Sequence, residues 1–214
     1  AINVYIVTTI MPSVVRDIGG IDYYAWITSL FVAASIIGSS LSTRMIEQMG
    51  LRTAYLLGIF VFIVGSALAA TAPSMAFLLF ARSVQGFGGG LMLGLSYASV
   101  RIVFEPKLWS RAMALISTMW GVSTLIGPAV GGVFAEHNAW RMALWATVPV
   151  ALFVASLVFT QVPQHGVTKQ GAEKSEVPIV KILLLSLSVI VLSFGSLGDS
   201  WLLRISSLIG VIAI

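Results

Sequence analysis

The 214-residue sequence has no cysteine, which excludes a disulfide framework and any thiolate metal site. It also has little charge, 9% of residues against about a quarter in soluble domains. All 8 acidic residues fall in loops or at the ends of apolar runs, so no carboxylate pair stands inside an apolar segment. The 2 histidines, His137 and His165, are far apart and form no H-E-x-x-H pattern, and no G-x-S-x-G turn is present. Hydrolytic and metal-dependent chemistry therefore lack candidate groups, and an enzyme is not expected. Gly86, Gly88, Gly89 and Gly90 form G-x-G-G-G, but no strand precedes them, so a nucleotide-binding role fails on context. No cofactor and no metal are expected.

What the chain does have is apolar length. Hydrophobic residues make up 58% of it, in long uncharged runs separated by short charged punctuation. That pattern predicts a helical protein crossing the membrane many times; barrel strands would alternate over segments of about ten residues. The net charge of +4 bears on topology, and no nucleic-acid partner is expected.

Apolar runs predict spans over residues 1–15, 23–43, 53–71, 75–100, 112–134 and 141–161, then a seventh from 179 to 197 and an eighth begun after Asp199. The expected organisation is a six-span unit over 1–161 with its first span truncated, a polar connector over 162–178, and the last spans over 179–214. Both ends fall inside apolar runs, so the expectation is a fragment of a longer protein. Arg44, Arg52, Arg101, Lys107, Arg111, Lys169, Lys174 and Lys181 would share one side, with only Arg16, Arg141 and Arg204 opposite. The positive-inside rule places the first set in the cytoplasm.

One residue resists this simple scheme. Arg82, in L-L-F-A-R-S-V-Q-G-F-G-G-G (residues 78–90), lies well inside the fourth span. A charge at a helix centre costs about 2.5–3.5 kcal/mol on insertion scales. Two roles are open to it. Its long side chain can snorkel toward the outer face, or it can line a wet cavity with Gln85 at i+3 and Gly86 at i+4.

Three other stretches bear on function. G-V-S-T-L-I-G-P-A-V-G-G (residues 121–132) clears side chains from a helix face for a close neighbour, and Pro128 removes a backbone donor. Ordinary packing and a bendable switching seam both fit it. T-R-M-I-E-Q-M-G-L-R (residues 43–52) is a basic loop in which Glu47 is free to pair with Arg101 or Arg111 as a cytoplasmic latch. Trp140-Arg141, ahead of Pro149, looks like an interfacial anchor.

These residues resemble the major facilitator superfamily. L-x-x-x-R-x-x-Q-G at Leu78, Arg82, Gln85 and Gly86 is similar to that family's fourth-span motif. G-P-x-x-G-G at Gly127, Pro128, Gly131 and Gly132 resembles the antiporter motif of its drug:proton exporters, and Trp140-Arg141 with Pro149 resembles their sixth span. The resemblance covers essentially the whole chain. It implies an all-α membrane protein: a six-helix bundle of two inverted three-helix repeats, forming one of two pseudo-symmetric halves with substrate bound between them. A seventh span directly after the connector is more like the fourteen-span branch.

The function so implied is export of small amphipathic compounds in exchange for protons, with a C-terminal half as partner, in a bacterial inner membrane. A metabolite carrier or a non-transporting sensor of the same fold are the alternatives. Arg82, Gln85 and Gly86 would couple transport. Gly127, Pro128, Gly131 and Gly132 would shape the switching seam, and Glu47, Gly50 and Arg52 would gate the cytoplasmic side. Asn3, Tyr5, Thr8 and Trp120 would line the cavity. Two departures from the family stand out. Asn3 occupies the place of an expected aspartate and cannot titrate. In the loop at 43–52, Thr43, Glu47, Gln48 and Leu51 replace pattern residues, while Gly50 and Arg52 remain.

Overall fold

A computed structural model of the chain describes residues 2–162 together with Ser186 and Val189. The described residues form α1 (Ile2–Ile18), α2 (Tyr24–Met49), α3 (Leu51–Ala70), α4 (Met75–Val103), α5 (Trp109–Glu136), α6 (Trp140–Trp145) and α7 (Thr147–Gln161), with short 3₁₀ turns before α2 and α5 and no strand among them. Five stretches are long and apolar enough to cross a membrane: those of α2, α3, α4 and α5, and α6 with α7 taken together. The chain is a multi-pass integral membrane protein. Of the predicted connector (162–178) only Val162, and of the seventh and eighth spans (179–214) only Ser186 and Val189, are among the described residues.

Two boundaries differ from the sequence expectation, each for a backbone reason. The expected loop at 44–52 is almost entirely helical, because Gly50 alone joins α2 to α3. Its φ of 82° and ψ of 161° belong to a region open essentially to glycine only. The expected sixth span is two helices, α6 and α7, broken at Ala146. Pro149 has no N–H to offer the Trp145 carbonyl, and its ring crowds that carbonyl. Pro128, by contrast, sits inside α5 and the helix continues through it.

α4 is the central element, packed between α2 and α3, while α1 pairs with α5 and α3 with α6 and α7. Exchanging the first three helices with the rest (α1 for α4, α2 for α5, α3 for α6 and α7) carries the α1–α5 contact onto the α4–α2 contact.

Small residues set these approaches. A Cβ at Gly86 would collide with the Phe31 carbonyl of α2, and one at Gly90 with the Ser35 carbonyl, while Gly38 of α2 lies against the Phe87 carbonyl in return. Gly88 faces α3 instead, where a Cβ would meet the Phe62 backbone and the Gly58 carbonyl. G-x-G-G-G is thus a two-sided helix seam rather than a phosphate loop. The largest buried cluster joins Ile6, Ile10, Met11 and Val14 of α1 to Ile27, Leu78, Trp140 and Leu144. Outward, α5 exposes Leu115, Met119, Leu125 and Val133, as suits a helix whose solvent is lipid or another membrane segment.

Candidate functional site

Arg82 is 1% exposed, sealed among α1, α2, α3 and α4 rather than lining an open face. Neither snorkelling nor a wet cavity describes its surroundings. The glycine seam draws α2 close enough for the Phe31 ring to lie beneath the guanidinium, 4.2 Å from its centroid. The Arg82 Nη1 donates to Asn3 Oδ1 at 2.8 Å and to Gln85 Oε1. Gln85 Nε2 then donates to Ser66 Oγ at 2.7 Å, and the Ser66 hydroxyl donates to the Phe62 carbonyl at 2.8 Å.

Every dipole in this relay turns its acceptor end toward Arg82. The i+3 placement of Gln85 was legible in the sequence, and so was the presence of Asn3. That Asn3 and Ser66 converge on Arg82 was not, because that contact spans 79 residues of chain. None of Asn3, Arg82, Gln85 and Ser66 is an acid. The cluster binds its cation with neutral oxygens and one aromatic face, and two of its donors, Arg82 Nε and Asn3 Nδ2, are buried without a partner.

The antiporter-motif glycines act one helix away. A Cβ at Gly127 would collide with Tyr5, and one at Gly131 would stand 2.8 Å from the Thr9 Cβ. Both therefore press α5 onto α1, the helix that carries Asn3. Gly132 has open space where its side chain would be, and Pro128 is exposed, so the motif divides into a packed pair and an outward pair. Of the expected cavity residues, Asn3 is buried in the Arg82 cluster, Tyr5 and Trp120 are half-buried, and Thr8 is exposed, its hydroxyl bonded to the Val4 carbonyl at 2.9 Å. Gly86 serves the α2–α4 approach and touches no polar group of the cluster.

At the Gly50 end of the bundle, Glu47 is exposed and forms no ion pair with Arg101 or Arg111 among the described residues. Arg52 lies 3.9 Å over the Phe159 ring of α7, and Arg101 lies over Trp109.

The opposite end of the bundle holds a constellation that the sequence did not reveal. Trp140 is buried to 2% exposure instead of anchoring in the interface, and its Nε1 donates to Asp17 Oδ2 at 3.0 Å. Arg141 pairs with the same carboxylate and donates to the Ala72 carbonyl at 3.2 Å. This ties the end of α1, the α3–α4 turn and the start of α6 together. The Arg141 hydrogen bond, and then that of Trp140, hold the Asp17 carboxyl below its ordinary value.

A lowered carboxylate value adds stability that is present above the ordinary value and lost as pH falls through the lowered one. Asp17→Asn is therefore expected to melt below wild type at neutral pH. The gap should persist down to about pH 4 and close in stronger acid. Melting curves of the two proteins between pH 3 and 7 check this; a gap that does not depend on pH refutes it. Both groups are about half-exposed, so the gap should be modest.

Five membrane-length stretches packed with α1 around a buried arginine define a multi-pass helical membrane bundle. The chain belongs to the Major Facilitator Superfamily, which it matches over residues 1–214. It is 35% identical over 218 residues to a probable multidrug-efflux transporter of Mycobacterium tuberculosis (strain ATCC 25618 / H37Rv), covering 100% of this chain and 46% of that protein. It is 28% identical over 145 residues to multidrug resistance protein 3 of Bacillus subtilis (strain 168), covering 68% of this chain and 28% of that one. To the multidrug transporter protein MdtP of the same strain it is 25% identical over 203 residues, covering 94% and 37%. The chain spans less than half the length of these relatives.

Proposed function

We propose that the full-length protein is a secondary-active exporter of small amphipathic compounds, driven by exchange for protons across a bacterial inner membrane. Residues 1–161 form one transport half, 162–178 the cytoplasmic connector, and 179–214 the seventh span and the start of an eighth, in the fourteen-span pattern. A C-terminal half completes the substrate path. The observation that carries this is the Arg82 cluster, a buried cation at the meeting of four helices of a Major Facilitator Superfamily bundle. A charge in that position is expensive, and such residues mark transport paths. The efflux names of the relatives support the direction of transport. Since no member of the cluster is an acid, the carboxylate that exchanges protons belongs to another part of the protein. Gly127 and Gly131 form the seam along which α1 and α5 slide as the halves rock, and Gly50 with Arg52 fixes the α2–α3 pivot on α7.

The test is efflux from proteoliposomes holding the full-length protein, with amphipathic dyes of both charge signs and none, and with or without an imposed pH gradient. Wild type should export at least one dye faster with the gradient. Arg82→Ala should lose at least tenfold of that rate while still inserting. Absence of flux for every dye, or wild-type rates in the variant, would overturn the proposal.

A further inference from the structure

We infer that the Arg82 cluster is an anion-binding site, shaped for the carboxylate of an exported compound. The inference rests on the export function proposed above and names the charge class of its substrate. Three observations carry it. The guanidinium is 1% exposed, yet its hydrogen-bond partners, Asn3 and Gln85, are neutral and its third neighbour is the Phe31 ring. The acids among the described residues, Asp17, Asp22, Glu47, Glu105 and Glu136, are all exposed at span ends, so none neutralises it. Among the described residues, therefore, no counter-charge faces Arg82 in a low-dielectric interior, where one is worth far more than in water.

The third observation fixes the sign and chemistry of what is missing. Arg82 Nε and Asn3 Nδ2 are both buried and both without a partner. Both are N–H donors, so each lacks an acceptor. An acceptor placed against a fixed cation is best supplied as an anion, and charge-assisted bonds from guanidinium to carboxylate are among the stronger ones. A carboxylate brings two acceptor oxygens to two orphaned donors, on side chains already joined at 2.8 Å. A cationic substrate would meet like charge here, and a neutral one would leave Arg82 uncompensated. As the bundle opens during its cycle, the anionic group enters and the amphipathic remainder lies along the apolar helices.

The same donors would also accept a free inorganic anion, and the experiment separates the two sources. Purified full-length protein in low-salt zwitterionic buffer is titrated with sodium benzoate, benzamide, benzylammonium acetate corrected for sodium acetate, and sodium chloride, reading thermal stabilisation and apparent affinity. Benzoate should stabilise wild type, benzamide and benzylammonium should not, and chloride should do so only at concentrations at least tenfold higher. Chloride as effective as benzoate would still establish the anion site and would make the ligand inorganic. Asn3→Asp keeps Arg82 and installs a carboxylate at the same side-chain length, so it should bind benzoate at least tenfold more weakly. Arg82→Gln should abolish the effect.

Equal benzoate binding in wild type and Asn3→Asp, or no benzoate effect in a folded wild-type protein, would overturn the inference. Binding is measured apart from flux. Export without benzoate binding defeats the anion site alone, whereas benzoate binding without export of any dye defeats the transport proposal alone.

Discussion

Gly86→Ala and Gly90→Ala are each expected to lower the melting temperature of the full-length protein, whereas Gly132→Ala should leave it unchanged or raise it. The added atom is the same in all three, so the difference isolates what it meets. At Gly86 and Gly90 the new Cβ would run into the Phe31 and Ser35 carbonyls of α2, which are backbone and cannot rotate aside. Relief requires α2 and α4 to separate, and overpacking of this kind costs about 1–3 kcal/mol per site. The loss should be cooperative, because separating the helices also lifts the Phe31 ring from Arg82. At Gly132 the Cβ enters open space. There alanine only gains from its better helix propensity, by up to about 1 kcal/mol. Melting in detergent, read by tryptophan fluorescence, separates the cases; matching losses at all three positions would refute the seam.

How much of this was legible in the sequence depends on which interaction fixed it. The spans followed from apolar length, and that part stands for α2 to α7 because a backbone in lipid has little choice but helix. Small-residue spacing marked α5 as close-packed, whereas for the glycines of α4 it only excluded a nucleotide loop. It did not say which neighbour each glycine faced, since helices that are apolar all round carry no periodicity to orient them. The two revised boundaries turned on single residues, Gly50 and Pro149, whose effects run against the charge and hydropathy patterns used to draw spans. Trp140 looked interfacial because Trp beside Arg usually is. Its burial depends on Asp17, 123 residues earlier, and nothing local predicts that pairing. Arg82 was found by its cost; Asn3 and Phe31 reach it from two other helices, and only Gln85, at i+3 on its own helix, was a contact legible in the sequence.

That last contact supplies the second expectation, a double-mutant cycle on Arg82 and Gln85. Gln85→Leu alone removes the Oε1 acceptor and leaves the buried guanidinium with Asn3 and the Phe31 ring. A hydrogen bond to a charged group contributes about 1.5–3 kcal/mol, and stranding the charge adds to that, so a loss of about 3 kcal/mol is expected. Arg82→Met alone removes the charge but orphans the Asn3 and Gln85 oxygens. In the double variant the buried charge and its principal acceptor leave together, and Ser66 keeps its own bond to the Phe62 carbonyl. Leucine in place of Gln85 should then cost far less. The coupling should lie in the upper part of the range of about 0.5–3 kcal/mol found for side chains sharing one network. Ordinary interhelical hydrogen bonds in membranes average about 0.6 kcal/mol in such cycles. Coupling clearly above that value therefore marks an ion stabilised by its acceptor, and coupling near zero would show that the protein does not rely on Gln85 to hold the charge. Because the cycle reads stability and needs no substrate, it probes the buried cation independently of what the exporter carries.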